Sequence, residues 1–297
     1  MHNFSPSHTL VIHNPKSGRL AGQTKADALL HHLSQMGYEV VTTTGSDHAR
    51  QLGAELHPHG WNAMICLGGD GTLWQMLERL HHAVPIAFFP TGTVNLLANN
   101  LGIPKTVTPW LQMLKKGNLK QVYLGLANGR PFLNLGSIGF DAQVVARVST
   151  RLKQMIHEGA YVVQGFWDFV KYQIPNYSVV LDGREVEEKV LGVIVGKGPF
   201  YAGPYPILQG ADMCVSNLRV ALIVGDKKRS ILEFGRRITQ GTISEMKSIQ
   251  FHTVQELTVD SFPPSYVEVD GDPFGTTPVT FSIDPFLRKV LIPPITG

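Results

Sequence analysis

The chain has 297 residues, of which 43% are hydrophobic and 16% are charged, and its formal net charge is only +3. This length and hydrophobic content suffice for one large domain or two ordinary ones, and we expect two. Because no block of five like charges occurs, the sequence indicates neither a charged disordered tail nor a nucleic-acid-binding arm. No nucleic-acid partner is therefore expected.

Cys66 and Cys214 are the only cysteines, and their distance in the chain predicts neither a disulfide framework nor a zinc site. The first residues lack a basic segment followed by an apolar run, and no apolar stretch approaches the roughly 20 residues that span a bilayer. We expect a soluble cytoplasmic protein, with peripheral membrane contact as the alternative.

The first 120 residues or so alternate short apolar strands with helical patterns. The predicted strands cover residues 10–12, 38–41, 64–67 and 86–89; the predicted helices cover 23–36, ending at Gly37, and 47–56, capped by Asp47. This alternation predicts an α/β domain with a parallel sheet covered by helices on both faces.

From Gln121 onward, hairpin signals replace this pattern. Asn128-Gly129 and Asp182-Gly183 each lie between alternating runs, which is typical of tight β-turns. Two helical patterns interrupt the strands, at about 141–157 and 231–240. The second half is therefore predicted to be a separate, mainly β domain.

The most informative segment is a glycine-rich turn between a strand and a helix, formed by Gly68, Gly69, Asp70, Gly71 and Thr72. Glycines allow a sharp turn and close approach of a ligand, and the positive end of a helix favours an anion such as phosphate. Asp70 would repel phosphate unless it binds a sugar hydroxyl or a metal, such as the Mg²⁺ carried with ATP. The alternative is a tight connection without a ligand.

Two further loops follow strands in the same way. Asn14, Pro15, Lys16, Ser17 and Gly18 come after the first strand. Pro90, Thr91, Gly92 and Thr93 follow the strand at 86–89, with a helix starting near Asn95. In a parallel sheet such loops share one edge, so all three are predicted to converge on one ligand. Each alone could be an ordinary loop, and Lys16 could be merely solvated.

Neither G-x-x-x-x-G-K-[ST] nor G-x-G-x-x-G followed by a strand-ending acid occurs, so a P-loop and a standard dinucleotide fold are excluded. Instead, four segments resemble signatures of the diacylglycerol kinase catalytic family, which includes the sphingosine and ceramide kinases. They are N-P-x-S-G at Asn14, G-G-D-G-T at Gly68, P-x-G-T-x-N at Pro90 and D-G-[ED] at Asp270, and the segment 132–145 resembles the start of the family's second domain. NAD kinases share G-G-D-G-T, but their second signature is absent.

The resemblance implies an ATP-binding α/β domain at 1–128, a β-sandwich catalytic domain at 129–286 and a strand within 287–297 that returns to the first domain. It implies ATP and Mg²⁺ as cofactors and a lipid as substrate, and it is compatible with a homodimer. The implied nucleotide-binding residues are Asn14, Pro15, Lys16, Ser17, Gly18, Thr43 or Thr44, Gly68, Gly69, Asp70, Gly71, Thr72, Gln75, Gly92, Thr93 and Asn95.

Two residues depart from the family pattern. Gln75 stands where the family usually has a glutamate, which removes a charge from the nucleotide site. Near Leu218, Val215-Ser216 replaces an Asp-Gly pair that helps the family bind a structural Mg²⁺. Asp212 is the only nearby carboxylate before that point, and it is the candidate metal ligand here.

Phosphoryl transfer also needs a carboxylate to accept the proton of the substrate hydroxyl. The resemblance assigns catalysis to Asp270 and Asp272, together with Asp70. From the residues alone, Asp270-Gly271 would be a hairpin turn, as at Asp182-Gly183. Ser137 lacks the nucleophile-elbow pattern and is interpreted as a packed strand residue.

The predicted function is ATP-dependent phosphorylation of a hydroxyl of diacylglycerol or a similar lipid. One alternative is a kinase of NAD or of another soluble acceptor, and a second is a degenerate nucleotide-binding protein without catalysis. Five basic residues are candidates for contact with anionic headgroups, or else form a solvated face: Lys227, Lys228, Arg229, Arg236 and Arg237.

Overall fold

The computed structural model describes residues 4–18, 20–147, 172–201 and 205–294. The chain divides into two compact units. The first contains Met1–Leu124, Met213–Val215 and Asp284–Gly297, and the second contains Gly125–Asp212 and Ser216–Ile283. The boundaries expected at 128/129 and 286/287 thus fall a few residues later than those observed, and the short return at Met213–Val215 was not predicted.

The first unit is an α/β domain around one six-stranded sheet. Its strands are β1 (Thr9–His13), β2 (Glu39–Thr42), β3 (Ala63–Gly68), β4 (Ile86–Pro90), β5 (Asn118–Val122) and, from the end of the chain, β20 (Arg288–Ile292). Its helices are α1 (Leu20–Gln35), α2 (Ser46–Glu55), α3 (Asp70–Leu77), α4 (Leu96–Leu101) and α5 (Val107–Lys116).

The strands of this sheet lie in the order β2-β1-β3-β4-β20-β5. Neighbours from β2 to β20 are parallel, and only β5 runs antiparallel to its neighbour β20. Every residue of β1, β3 and β4 is buried, as expected for central parallel strands covered on both faces. The parallel sheet and the return of the last strand are therefore confirmed.

The second unit is a β-sandwich of two six-stranded sheets. One has the order β10-β9-β16-β19-β6-β7 and the other β15-β14-β11-β8-β17-β18, and the pairs within both are antiparallel. The strands of the first sheet are β6 (Gly125–Ala127), β7 (Arg130–Phe132), β9 (Asn176–Leu181), β10 (Arg184–Glu185), β16 (Leu257–Phe262) and β19 (Val279–Ile283). Those of the second are β8 (Leu135–Ile138), β11 (Val190–Gly196), β14 (Leu218–Val224), β15 (Ile249–Val254), β17 (Tyr266–Val269) and β18 (Asp272–Thr276).

Apolar side chains from both sheets fill the sandwich core, among them Phe132 and Phe281 from one sheet and Ile138 and Leu222 from the other. Two helices complete the described part of the unit, α6 (Phe140–Arg147) and α7 (Arg229–Gln240), together with a short ribbon of β12 (Phe200–Tyr201) and β13 (Tyr205–Pro206). A second apolar cluster packs Ile231 and Phe234 of α7 against Ile194 and Ile223.

The predicted turns have the expected backbone. Asn128-Gly129 and Asp182-Gly183 both have positive φ angles, near +45° and +78°, as a two-residue hairpin turn requires. Asp270-Gly271 has the same geometry and joins β17 to β18. In α1, Gly37 ends the helix with φ +85, and the Tyr38 N–H reaches back to the Leu33 carbonyl.

Helix boundaries differ from the predicted ones by a few residues. Helix α1 begins at Leu20 rather than 23, and α7 begins at Arg229 rather than 231. Asp47 does not cap α2, because that helix already begins at Ser46 and the Asp47 carboxylate pairs with Arg50 at 3.1 Å. The helix predicted at 141–157 begins at Phe140, and its part beyond 147 lies outside the described residues. None of the helices that the structure describes is both long and apolar enough to cross a membrane.

Candidate functional site

Three loops of the first unit meet at the carboxyl edge of its sheet. The Asn14 N–H donates to the Leu67 carbonyl at 3.0 Å, and the Asn14 side-chain amide donates to the Thr72 hydroxyl at 2.7 Å. The Thr91 N–H donates to the Gly68 carbonyl at 2.8 Å. These bonds connect the loops after β1, β3 and β4 at one edge of the sheet, and their convergence on one ligand stays a prediction.

Glycine is required where these loops approach one another. A Cβ on Gly18, whose φ is +81, would lie 1.8 Å from the Thr91 carbonyl oxygen. A Cβ on Gly92 would lie 2.8 Å from the Gly69 Cα. Any larger residue would therefore push the loops apart, so the glycines allow these loops to pack directly against one another. We call this part of the sheet edge, formed by the loops that contain Gly18, Gly69 and Gly92, the glycine edge.

Asp70 has a structural partner at this edge. Its carboxylate accepts hydrogen bonds from the Leu96 N–H at 2.7 Å and the Leu97 N–H at 3.2 Å, which are the first amides of α4. Burial raises the pKa of the Asp70 carboxyl, and the two amides with the nearby Lys105 oppose that shift. An acid in the glycine turn is thus accommodated without a metal ion, and the catalytic role of Asp70 stays a prediction.

The loop edge also presents groups that suit a nucleotide. Helix α3 begins at Asp70, so its first amides have no acceptor within the helix and form a positive end. Next to it, the Asn95 Oδ1 and the Thr91 Oγ1 are buried without a hydrogen-bond partner among the described residues. Asn95 has a left-handed backbone and donates from its Nδ2 to the Gly92 carbonyl at 2.7 Å. Unsatisfied buried oxygens and a glycine cradle fit a polar ligand.

The other predicted nucleotide contacts surround this edge. The Thr43 N–H donates to the His13 carbonyl at 2.8 Å, so Thr43 and Thr44 continue the same edge from β2. Gln75, on α3, donates to the Ser46 hydroxyl at 3.0 Å. Pro15, Lys16 and Thr93 are exposed, while Ser17 is half-buried and its N–H donates to the Asn14 carbonyl.

In the second unit, the two acids of the Asp270-Gly271-Asp272 turn have different surroundings. The Asp270 carboxylate accepts three backbone N–H groups, from Leu133 at 2.6 Å, Asn134 at 2.8 Å and Leu135 at 3.1 Å. Asp272 begins β18 and is exposed, and its carboxylate has no hydrogen-bond partner among the residues that the structure describes. Of the two acids, Asp272 therefore presents the more accessible carboxylate.

A buried acidic network lies behind this turn. The Ser137 hydroxyl donates to Glu268 at 2.8 Å, and the Glu268 carboxylate also accepts the N–H of Gly271. Ser137 further hydrogen-bonds Asp141, which accepts the Tyr201 hydroxyl at 2.9 Å. Burial, followed by the nearby Asp141, raises the pKa of Glu268 to about 8, and burial also raises the pKa of Asp141. Ser137 is, as interpreted, a buried strand residue.

Sequence reasoning missed this network. Its one signal in the sequence is Glu268, an acid between Val267 and Val269 in a strand whose neighbours are all apolar. The pairing of β17 with β8, which places Glu268 opposite Ser137, supplies the partner and is not visible in the sequence.

An apolar cavity of about 480 Å³ lies between α7 and the strands of the second sheet. Its lining is mainly apolar and includes Ile138, Phe140, Leu191, Ile194, Ile223 and Phe234. The polar exceptions are Asp141 and Tyr201 of the buried network, with Arg236 of α7. Cavities of this size and composition are typical of ligand sites.

The residues around Asp212, the candidate metal ligand, do not form a metal cluster. Its side chain is exposed, and its backbone carbonyl accepts a hydrogen bond from the buried Lys197 ammonium at 3.3 Å. Within the described ranges, no group of three His, Cys, Asp or Glu side chains is placed to hold a metal ion. The magnesium site at Asp212 has no further support from its surroundings.

Comparison with protein families matches both halves of the chain. Residues 8–127 match the diacylglycerol kinase catalytic domain. Residues 135–292 match the YegS C-terminal NAD kinase beta sandwich-like domain. The first match covers most of the α/β unit, and the second covers most of the sandwich unit together with the returning strand β20.

Similar proteins agree with these matches. The diacylglycerol kinases of Staphylococcus aureus strains JH9 and Newman are each 24% identical to this chain over 280 residues, which covers 91% of this chain and 88% of theirs. The crystal structure of a diacylglycerol kinase from Bacillus anthracis str. Sterne has a TM-score of 0.74 at 21% identity, covering 96% of this chain and 97% of that one. The chain therefore belongs to the diacylglycerol kinase-like family of lipid kinases, with a catalytic α/β domain and a YegS-type sandwich.

Proposed function

We propose that this protein transfers the γ-phosphate of ATP to a hydroxyl group of diacylglycerol or of a similar lipid. The observation that carries the proposal is the close packing of the loops at the glycine edge of the first unit, in a chain that belongs to a kinase family. Backbone amides, glycines and a helix N-terminus are the groups that phosphate binding uses. Mg²⁺ bound with ATP would neutralise charge on the phosphates during transfer.

The chain's own residues would hold the nucleotide. The loops at Asn14, Gly68 and Gly92 offer backbone donors to the phosphates, and the first turn of α3 supplies a positive helix end. The unpartnered oxygens of Thr91 and Asn95 would gain hydrogen bonds from a bound ligand. Thr43, Thr44 and Gln75 extend this edge away from the glycines and are the candidates for contact with the rest of the nucleotide.

Asp272 is the proposed general base. It must accept the proton of the acceptor hydroxyl, and an accessible carboxylate can do so. The Asp270 carboxylate already accepts three backbone N–H groups, so its oxygens are less available to a substrate hydroxyl. We therefore assign the chemistry to Asp272 and the shape of the turn to Asp270.

The apolar cavity favours a lipid over NAD or another soluble acceptor. A nucleotide or polyol would leave its hydroxyls against the apolar side chains of Leu191, Ile194 and Ile223, and burying a hydroxyl without a partner is costly. An acyl chain has no polar groups that need hydrogen-bond partners, and its transfer from water into the apolar cavity is favourable. Asp141 and Tyr201 provide polar groups in the same cavity for the head of the lipid.

Contact with an anionic membrane is proposed through the exposed face of α7. Leu232 is 55% exposed on this face, and Arg229 and Arg236 lie on either side of it. Lys227, just before the helix, is exposed as well. Basic residues at a helix N-terminus oppose the helix dipole, and the first turn of α7 has no acid to offset them. An external anionic surface would compensate this unfavourable arrangement.

Arg237 is not part of the proposed membrane face. Its guanidinium pairs with Glu233 at 2.8 Å and with Glu245 at 3.2 Å. Both acids that pair with Arg237 belong to this chain, so its charge is already compensated, whereas Lys227 and Leu232 are exposed. The membrane face therefore consists of Lys227, Arg229, Leu232 and Arg236, and it leaves out Lys228, which is half-buried.

Transfer of labelled γ-phosphate tests the proposed reaction. ATP·Mg²⁺ is offered with a panel of diacylglycerol, phosphatidylglycerol, sphingosine, ceramide and NAD, with the Asp272→Asn protein as control. We expect one lipid to be labelled by the wild-type protein alone. Labelled NAD would replace the proposal with the soluble-acceptor alternative, and nucleotide binding without any transfer would favour the degenerate one.

Vesicle sedimentation without nucleotide tests the membrane face independently of turnover. Each basic side chain contributes about fivefold to binding near an anionic surface, so Lys227→Gln with Arg229→Gln should lower vesicle affinity about thirtyfold. Lys115→Gln with Lys116→Gln, an exposed pair on α5, is the matched control for lost charge. Equal binding to neutral and anionic vesicles would exclude the membrane face.

A further inference from the structure

Among the described residues of the second unit, Lys197 is the most deeply buried charged one, with 1% of its surface exposed. It follows β11, and its N–H donates to the Asn134 carbonyl at 2.8 Å. The Lys197 ammonium donates to the Asn217 carbonyl at 2.6 Å and to the Asp212 carbonyl at 3.3 Å. Burying an ammonium is costly unless its donors are satisfied, so this placement requires a reason.

The two carbonyls that Lys197 contacts belong to the segment where the family resemblance implies a structural Mg²⁺. They lie on either side of residues 213–216, which include the departure Val215-Ser216. An Asp-Gly pair at that departure would supply a carboxylate to a metal ion, but valine and serine supply none. Within residues 211–218 of the sequence, Asp212 is the one acidic residue, and its side chain is exposed.

The residues present do not fit a divalent cation. Mg²⁺ requires about six oxygen ligands in near-octahedral geometry and usually one or two carboxylates. In the described ranges, no cluster of three potential metal-ligating side chains occurs. A second cation beside a buried ammonium would also be repelled, because charges interact strongly where water is excluded.

We infer that the Lys197 ammonium takes the place of a structural divalent cation in this chain. The Lys197 ammonium donates to the backbone carbonyls of Asp212 and Asn217, and carbonyl oxygens are groups that a divalent cation would otherwise bind. The lysine thus provides a positive charge for this segment, in which Val215-Ser216 supplies no carboxylate for a metal ion. The Lys197 ammonium therefore binds the carbonyls of Asp212 and Asn217 without a metal ion.

Thermal unfolding without nucleotide tests the inference and does not depend on catalysis. We expect the Tm of the wild-type protein to be the same in EDTA and in millimolar Mg²⁺, Ca²⁺ or Mn²⁺, because a ligand stabilises only a protein that binds it. A saturable rise of Tm with any of these metals would overturn the inference.

The variant Lys197→Met tests the role of the charge itself. It leaves the carbonyls of Asp212 and Asn217 without their donor, and we expect Tm to fall by roughly 5 °C or more in EDTA and in Mg²⁺ alike. Lys189→Met, at an exposed position of the same unit, is the matched control. Equal Tm values for the two variants would contradict the inference, and if Lys197→Met fails to fold, the wild-type metal titration still decides.

Discussion

The two candidate regions of this protein are built from different parts of the polypeptide. In the first unit, the glycine edge consists mainly of backbone groups from loops that follow successive strands. In the second, the network around Glu268 and the apolar cavity consist of side chains from strands and helices far apart in the chain. A backbone site depends on a few residue types at fixed positions, whereas a side-chain site depends on strand pairing.

One structural feature, an aspartate that accepts backbone N–H groups of another segment, is nevertheless common to both units. Asp70 and Asp270 each belong to a glycine-containing signature, and each carboxylate accepts consecutive backbone amides of another segment. Both acids therefore fix the shape of a loop, and Asp272 differs from them because it has no such partner in the described structure. The comparison distinguishes Asp70 and Asp270, which stabilise loops, from Asp272, which is proposed to be the general base.

Asp272→Asn is expected to have the largest effect on activity. Loss of a general base typically lowers the rate by about 10² to 10⁴, and an exposed side chain without partners should leave Tm and ATP affinity unchanged. Steady-state turnover, unfolding and nucleotide binding measure the three quantities. Asp270→Asn should in addition lower Tm, because it weakens three hydrogen bonds to backbone amides.

A turnover in Asp272→Asn close to that of the wild type would remove the assignment of the base. If Tm fell equally in both variants, the assignment of a structural role to Asp270 and of a catalytic role to Asp272 would be wrong. The two aspartates thus test each other.

Gly18→Ala is expected to have the next largest effect. The methyl group would meet the Thr91 carbonyl at 1.8 Å, so the loops after β1 and β4 must separate. Nucleotide affinity should fall at least tenfold, about 1.4 kcal/mol, as measured by equilibrium binding. Gly37→Ala is the matched control, since Gly37 has nearly the same φ, +85 against +81, but no atom within 4 Å.

Both substitutions place alanine in a left-handed backbone, which costs about 1 to 2 kcal/mol of stability. Each variant should therefore have a lower Tm, and Gly18→Ala should lower it further because its methyl group also meets Thr91. The loss of nucleotide affinity is expected from Gly18→Ala alone. An equal loss of affinity in Gly37→Ala would show that general destabilisation, rather than the loop contact, is responsible.

Most of the first unit could be predicted from the sequence. The buried runs at β1, β3 and β4 alternate with helices, and glycine, proline and asparagine mark the loops that follow them. Local chemistry determines these features, because only glycine tolerates the close approaches at Gly18 and Gly92. The use of the Asp70 carboxylate by α4 could not be predicted, since it depends on where a distant helix begins.

The second unit was predictable in its turns but not in its interior. Asp182-Gly183 shows its hairpin locally, whereas Glu268 meets Ser137 only through the pairing of β17 with β8. Lys197 is a charged residue after an apolar strand, and nothing near it in sequence indicates that the Asn217 carbonyl is its partner. Long-range register, which a single sequence does not reveal, determines these contacts.

Glu268→Gln should alter the pH dependence of stability by a few kcal/mol at most. The pKa of Glu268 is raised from 4.5 to about 8, so between these values the unfolded chain is ionised while the folded protein retains the proton. Folding stability contributed by this group is therefore present below pH 4.5 and falls as pH rises toward 8. Glutamine does not titrate and lacks this loss.

We expect the Tm of Glu268→Gln, relative to that of the wild type, to increase steadily from about pH 5 to about pH 8. Denaturation scans of both proteins in the same buffers measure the difference, in which the other ionisable groups largely cancel. Glu256→Gln, an exposed glutamate, should show no such trend. A difference that does not change with pH would mean that Glu268 is ionised throughout.

The smallest effects are expected at two buried threonines that look alike but lie at different ends of the first sheet. Thr9, which begins β1, and Thr91, in the loop after β4, both have hydroxyls without a partner among the described residues. Replacing such a hydroxyl with the methyl group of valine removes an unsatisfied polar atom, so Thr9→Val and Thr91→Val should each keep or slightly raise Tm without ligand.

The two variants should differ only when nucleotide is present. If the glycine edge uses the Thr91 hydroxyl for its ligand, Thr91→Val loses about one hydrogen bond to the nucleotide, roughly 1 kcal/mol or fivefold in Kd. Thr9→Val lies away from the loops and should bind nucleotide as the wild type does. Equal affinity in both variants would remove Thr91 from the site, and the backbone donors of the glycine edge would then account for binding without it.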